Sequence, residues 1–330
     1  FLISTCPSRE HDAITAAFRT HVDGFADISE MDDFAAAKSV AEVDLDILVD
    51  LAGHTMAARP GIYAHRPART IVTHLGYHGC LGLSAVEYKL TDRIADPIDA
   101  ARFQIERPFA LDGCVFPLVR VAPIAADPAA VEKSALEGKF IFAAFTNVLK
   151  LSARCLAIWR RVLEALPEAV LLFSPASPAQ QSGYLRCTAA AGIDSARVAF
   201  LDMPGTDPLS RSRYKRAHAV LDTFPYGGGD TTLAALDMGV PVVTLLGERH
   251  SERVGASILT HLGLTDTIAK NAHEFVAIAV KLARDATFMA QTRQRIQAAL
   301  ATTDVAAYTR TLEHAFAEIA SRKPVDKSMT

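Results

Sequence analysis

Short apolar runs rich in β-branched residues alternate along this chain with longer stretches in which apolar side chains recur every three or four positions. A strand covered on both faces needs a continuous apolar run, and a helix lying on it needs only one apolar stripe, so the alternation predicts parallel sheets covered by helices. In the first half the strands are expected at 1–4, 46–51, 70–75 and 88–91, with helices at 10–20, 32–41 and within 59–66. In the second half the expected strands are 140–145, 169–173, 198–201, 219–222 and 242–246, and the helices between them 153–166, 178–191, 207–217 and 231–238. Helical periodicity continues at 251–261, 272–284, 286–301 and 305–320. Within 153–166, Cys155, Ile158, Trp159, Val162, Leu163 and Leu166 share one stripe, which assigns Trp159 to the core and not to a ligand platform.

Around 123–137 the pattern gives way to Ala, Pro, Asp and Glu without a strand, the composition of a connection. The expected organisation is α/β: an N-terminal lobe over 1–122, a linker over 123–138 and a C-terminal lobe over 139–330. Two successive halves that each read as a doubly wound, Rossmann-like sheet imply a ligand cleft between them. No repeat of about 20 to 50 residues is visible. The first residues, Phe1, Leu2, Ile3 and Ser4, read as a strand already under way, so the N-terminal lobe is expected to be incomplete at its start and the chain to be a fragment.

Bulk properties narrow the function. At 330 residues, with 50% hydrophobic and 22% charged residues, the chain is long enough for two cores. A formal net charge of −3 leaves no basic surplus to neutralise a nucleic-acid backbone. No apolar run approaches the roughly 18 residues of a membrane span, and no signal peptide is present. Cys6, Cys80, Cys114, Cys155 and Cys187 are scattered, odd in number and without a CxxC pair, which argues against a disulfide framework or structural zinc and for a reducing cytoplasm.

Four turns that follow strands carry candidate chemistry. After the strand near Leu221 comes Gly227, Gly228, Gly229, Asp230, Thr231 and Thr232, leading into a helix. Such a turn lets backbone approach a ligand, and the helix start offers unpaired amides, a positive dipole end and two hydroxyls to a diphosphate. The alternative is an ordinary connection in which the glycines serve the turn and Asp230 caps the helix; a carboxylate there also repels phosphate. Lys150, next to Asn147 between a strand and a helix, is either a cation at the carboxyl end of the sheet or one of many surface lysines. In the first half, Gly53, His54 and Thr55 follow a strand, with Arg59 and Arg66 after them. His54 suits proton transfer or a structural hydrogen bond. Gly76, Tyr77, His78, Gly79 and Gly82 form a second glycine-punctuated turn. His250, Ser251, Glu252 and Arg253 are polar enough to line a site, although Arg253 also fits a solvated helix start. No HExxH, GxSxG, P-loop or metal-spaced histidine pair is present.

Taken in order, Asp46 to Thr55, His65 to Ala68, Leu75 to Gly79, Leu221 to Tyr226, Met238 to Leu245 and Arg253 with Val254 resemble the catalytic region of the SPINDLY/O-GlcNAc transferase family of glycosyltransferases, bacterial type, over nearly the whole chain. The resemblance implies a GT-B fold and an inverting, metal-independent transfer of a sugar, usually GlcNAc, from a UDP donor to a protein Ser or Thr hydroxyl. By the same resemblance, Lys150 contacts the donor diphosphate and His54 belongs to the active site. Asn147, Gly229, Asp230, Thr231, Thr232, Arg213, Tyr77, Gly79 and Arg253 line the substrate site, with Arg213 near the base. No cofactor is implied beyond the UDP-sugar itself, and the protein acceptor is expected to be read by tetratricopeptide repeats upstream. The sequence departs from the family pattern at Asp230, where a histidine is usual, at His78 (proline), at Asp207 and Ser210 (lysine and histidine), and at Ala235 (an acidic residue). Two alternatives accompany this expectation: a nucleotide-binding scaffold without transferase activity, and another GT-B enzyme such as a nucleotide-sugar epimerase.

Overall fold

A computed structural model describes residues 1–5, 12–119, 136–174, 177–201 and 208–322. The expected linker lies, for 123–135, outside the described residues, as do Cys6 and Asp207. The chain forms two compact units. One comprises Phe1–Thr91, Ile98–Asp112 and the chain from Thr309 onward; the other comprises Asp92–Pro97 and Gly113–Tyr308.

The first unit is built from β1 (Leu2–Ser4), α1 (Ala13–Arg19), β2 (Phe25–Asp27), α2 (Asp33–Ala41), β3 (Ile47–Asp50), α3 (Gly61–Ala64), β4 (Thr70–Thr73), β5 (Tyr88–Thr91) and β6 (Arg107–Ala110). All pairings are parallel, β1 with β2 and, separately, β3-β4-β5-β6. A cavity of about 650 Å³, lined by Leu2, Ile3, Phe18, Ile47, Val49 and Ile62 among others, lies between the two sheets. Around it α1 buries no side chain, and its Ile14 and Phe18 stay exposed.

The second unit holds β7 (Phe140–Ala144), α4 (Ala153–Ala165), β8 (Ala169–Phe173), α5 (Pro178–Ala190), β9 (Val198–Phe200), β10 (Ala219–Leu221), α6 (Asp230–Asp237), β11 (Val242–Leu245), α7 (Val254–His261), β12 (Ile268–Ala269), α8 (Ala272–Arg284) and α9 (Ala286–Ala301). Its six strands form one parallel sheet in the order β12-β11-β10-β7-β8-β9. The chain winds outward from β7 through β8 and β9, then returns to β10 and winds outward the other way, so the order reverses between β7 and β10. Open α/β sheets bind ligands at the carboxyl ends of the strands at such a reversal. The stripe expected on α4 is buried, with Trp159 at 0% exposure amid Phe142, Leu171 and Phe173. Within the first unit, the part of the last helix, α10 (Val305–Ser321), that belongs to it sets Ala315 and Ile319 against Val72, Tyr88, Leu90 and Leu111.

Two of the expected helices differ from expectation. The segment expected as a helix at 207–217 is a 3-10 helix, Pro208–Arg216. The helix expected at 251–261 is a 3-10 turn, His250–Glu252, followed by α7. Among the described residues, no helix is long and apolar enough to cross a membrane.

Candidate functional site

The loops after β7 and β10 flank the reversal, and they carry Lys150 and the glycine turn. After β7, Asn147 caps a one-turn 3-10 helix, its side chain accepting from the Leu149 amide at 2.9 Å. Ser152 then caps α4 through the Cys155 amide at 3.1 Å, and its hydroxyl donates to the Phe224 carbonyl at 2.7 Å, which ties this loop to the next. Held at both ends, Lys150 reaches across, with Nζ 3.4 Å from the Gly227 carbonyl and 4.6 Å from the centre of the Tyr226 ring. Burial lowers the pKa of Lys150, and the Asp222 carboxylate works in the opposite direction.

After β10 the chain passes Asp222 and a cis Phe224–Pro225 bond before the glycines. Asp222 accepts from the Thr223 amide at 2.9 Å, the Gly228 amide at 2.8 Å and the Thr244 hydroxyl at 2.7 Å. Its burial pushes its pKa up to about 6 in spite of these bonds. From the other side, the Gly227 amide donates to the Ser251 carbonyl at 2.8 Å and the Ser251 hydroxyl to the Pro225 carbonyl at 3.0 Å. Gly229 is the N-cap of α6, so no side chain caps that helix start. Thr232 is buried, its hydroxyl donating to the Gly228 carbonyl at 3.0 Å, whereas Thr231 is half-buried. Asp230, the first residue of α6, points into solvent with 83% of its side chain exposed, 3.4 Å from Arg211. It is therefore not the cap.

Arg213 comes to the same end of the sheet. Its guanidinium lies 4.9 Å from the Phe145 ring centre and 5.6 Å from that of Tyr214, and the residue is 8% exposed. Its Nε and Nη1 have no hydrogen-bond partner among the described residues. A buried guanidinium with unmet donors is costly, and an acceptor arriving as ligand removes that cost. Beside it Phe145, Thr146, Tyr214, Asp222, Thr223, Thr231 and Thr232 line a small pocket. Ala235 is fully buried in α6, so position 235 offers this site no polar group.

In the first unit, the turn after β3 is organised by Asp50, which accepts from the amides of Ala52 and Gly53, the Tyr63 hydroxyl at 2.7 Å and the Thr73 hydroxyl at 3.1 Å. Burial and the adjacent Asp50 charge raise the Tyr63 pKa, so that phenol stays a donor. Gly53 has φ of +58°, and a Cβ there would come within 2.1 Å of Tyr77, so only glycine brings the two turns together. His54 is exposed, with Nε2 3.0 Å from the Leu81 carbonyl and its ring edge-on to Tyr77 at 5.3 Å. Gly79 sits under the same tyrosine, where a Cβ would meet the ring at 2.8 Å. His54, Tyr77 and Gly79 are thus one cluster.

Arg253 bonds the carbonyls of Ile94 at 2.7 Å and Gly247 at 2.7 Å, bracing the loop that precedes His250. His250 in turn meets Asp96 at 2.7 Å, with both side chains buried. Asp92, Cys114 and His261 lie close enough to one another to suggest a metal. The Asp92 carboxylate, however, already accepts from the amides of Ile94, Ala95 and Val115 and from the Ser257 hydroxyl, which fills its capacity, and burial pushes the Cys114 thiol up to about 12. Asp222, Ser152 and Thr244 lie in motifs that the sequence offers without a separate role for them, and Arg211 lies in none; the aspartate at a strand's end is the available signal, while Ser152 and Thr244 stand far from it in sequence.

The glycosyl transferase family 41 model matches residues 7–111 and 132–312. SPINDLY of Arabidopsis thaliana, named a probable UDP-N-acetylglucosamine–peptide N-acetylglucosaminyltransferase, is 36% identical over 87% of this chain and 32% of its own length. The protein of the same name from Oryza sativa subsp. japonica is 34% identical over 88% of this chain and 32% of its own. The chain thus spans about a third of these curated relatives. Among solved structures, an O-GlcNAc transferase mutant from Thermobaculum terrenum superposes with a TM-score of 0.86 at 28% identity, covering 96% of this chain and 61% of that one. A UDP-forming trehalose-phosphate synthase from Burkholderia xenovorans, 12% identical with a TM-score of 0.56, shares the fold alone. The fold is GT-B, with two Rossmann-like units. With the family model matched across both units and relatives this similar over most of its length, the chain belongs to glycosyl transferase family 41.

Proposed function

We propose that this chain is the catalytic region of a glycosyltransferase that moves GlcNAc from UDP-GlcNAc to a protein Ser or Thr hydroxyl, with inversion and without a metal ion. The observation that carries the proposal is the meeting of the Lys150 amine with the turn before the uncapped start of α6, at the reversal of strand order, in a chain of this family. In this reading the pyrophosphate lies on the first amides of α6 and the Thr231 hydroxyl, and Lys150 leaves its long 3.4 Å bond to Gly227 for a departing phosphate oxygen. Asn147 lies at the rim of the same site. A cation and a helix N-terminus together neutralise the charge that develops on UDP, which is the task a divalent metal performs elsewhere. Arg213 offers its two unmet donors to the nucleoside end.

Inversion requires one displacement, with the acceptor hydroxyl entering opposite the leaving diphosphate. In this reading His54, Tyr77 and Gly79 of the first unit are assigned to the acceptor by likeness to the family. With Nε2 donating to the Leu81 carbonyl, Nδ1 of His54 is the nitrogen free to take or orient the hydroxyl proton. Arg253 enters as a brace, its guanidinium already on two carbonyls. Calorimetric titration of UDP-GlcNAc into the chain, paired with a transfer assay on the wild type and Lys150→Ala, tests the proposal. Binding together with loss of turnover in the variant supports it; no binding, or retained turnover, overturns it. A binding-only member of the family is the second reading, favoured by the acidic Asp230 at the α6 start and the apolar Ala235. UDP binding without transfer would establish that reading instead.

A further inference from the structure

The glycines that mark the turn in the sequence have a second partner inside the protein. A Cβ on Gly227 or Gly228 would come within 3.3 Å of the Asp222 carboxylate, and one on Gly255 within 2.8 Å. Three glycines from two segments therefore leave room for one buried carboxylate, which is 6% exposed and takes hydrogen bonds from Thr223, Gly228 and Thr244. A hydrophobic residue of similar size would fill this space without the cost of a buried charge, so the retained charge calls for a role.

We propose that Asp222 is a positioning residue: it holds the glycine turn in the shape that receives the donor diphosphate, and it is the standing counter-charge that keeps Lys150 an ammonium while the site is empty. This inference rests on the donor-site reading above. The titratable groups that face Asp222 are Lys150 from the loop after β7 and Cys155 from α4, whose thiol burial pushes up to about 12; β11 contributes the Thr244 hydroxyl and α7 contributes Gly255. Of these, Lys150 alone is charged at neutral pH. Above about pH 6 Asp222 is ionised and opposes the fall that burial imposes on the Lys150 pKa. Without that carboxylate, Lys150 gives up its proton at lower pH and the diphosphate loses its cation.

The test is UDP binding by Asp222→Asn against pH. The loss of affinity relative to wild type is expected to be small below about pH 6, where Asp222 is protonated, and to grow with rising pH to about tenfold at the alkaline end, the scale of one lost charge contact. In a Lys150→Met background the part of the loss that grows with pH is expected to disappear, leaving only a pH-independent part that belongs to the glycine turn. A loss that is equal at all pH values, or that persists undiminished without Lys150, overturns the counter-charge role. If the Asn variant does not fold, the wild type supplies the readout: after reductive methylation, the Lys150 resonance, assigned with Lys150→Arg, is expected to show an inflection near pH 6 as Asp222 ionises. A Lys150 resonance without one overturns the inference. Failure of the wild type to bind UDP at all overturns the donor-site reading, and this inference with it; UDP binding with an Asn variant of wild-type pH profile overturns this inference alone.

Discussion

Each unit ends a strand on a buried aspartate that holds the turn after it. Asp50 is the last residue of β3 and takes the Thr73 hydroxyl from the neighbouring β4, and Asp222 directly follows β10 and takes the Thr244 hydroxyl from the neighbouring β11. The remaining partners differ. Asp50 is satisfied by two amides and the Tyr63 phenol, neutral donors that fasten a turn and nothing more. Asp222 has two amides and, across the turn, the charge of Lys150. A single architectural device thus serves in one unit to present His54 beside Tyr77 and in the other to poise a cation beside a helix start. The two turns therefore differ in the counter-group of the buried acid: a neutral phenol for Asp50 and, across the turn, the Lys150 amine for Asp222.

The largest effect separating the two turns belongs to Lys150→Ala, which removes the cation and leaves both aspartates in place. Turnover measured under single-turnover conditions is expected to fall by about 10² to 10³, the scale of losing one electrostatic contact to a leaving group, with the melting temperature little changed. Next comes the pH dependence of stability in Asp222→Asn. The folded pKa of about 6 stands above the ordinary carboxylate value of 3.8, so the stabilisation that belongs to protonated Asp222 is fully present below about pH 4 and is lost as pH rises through 6. The variant has no such loss. Its stability relative to wild type should therefore improve between pH 4 and 7, by up to about 3 kcal/mol, in thermal or denaturant melts; a difference flat in pH would place no charge at that position. Asp50→Asn should instead cost about 1 to 3 kcal/mol, because a neutral amide cannot accept from all the donors now assembled there; the melts would also tell whether this turn needs its charge. The smallest effect is predicted for Asp230→His, which restores the usual family residue. Asp230 is exposed and faces Arg211, so the change in UDP affinity should stay within about threefold.

Much of the second unit was legible in the sequence because its strands are continuous apolar runs: Phe140–Ala144, Ala169–Phe173 and Val242–Leu245 are each buried almost throughout. The elements missed were those whose pattern is too short or too polar to show. Phe25–Asp27 has three residues, Ile268–Ala269 has two, and Arg107–Ala110 contains Pro108 on the edge of its sheet, where the missing amide is tolerated. The two-sheet arrangement of the first unit was not legible either, since no local pattern reports which strand edges pair. At the candidate site, the lysine and the glycine turn could be named because each follows a strand directly. Their juxtaposition through Ser152 and Phe224, the burial of Arg213 between Phe145 and Tyr214, and the ring of glycines about Asp222 depend on contacts that periodicity does not carry.

A crystal structure of the chain with UDP would bear most closely on whether Lys150 and the α6 start form one diphosphate site. The expected result is a pyrophosphate on the first amides of α6 and the Thr231 hydroxyl, with Lys150 Nζ moved from the Gly227 carbonyl onto a phosphate oxygen. UDP bound elsewhere, or bound there with Lys150 still on Gly227, would contradict it.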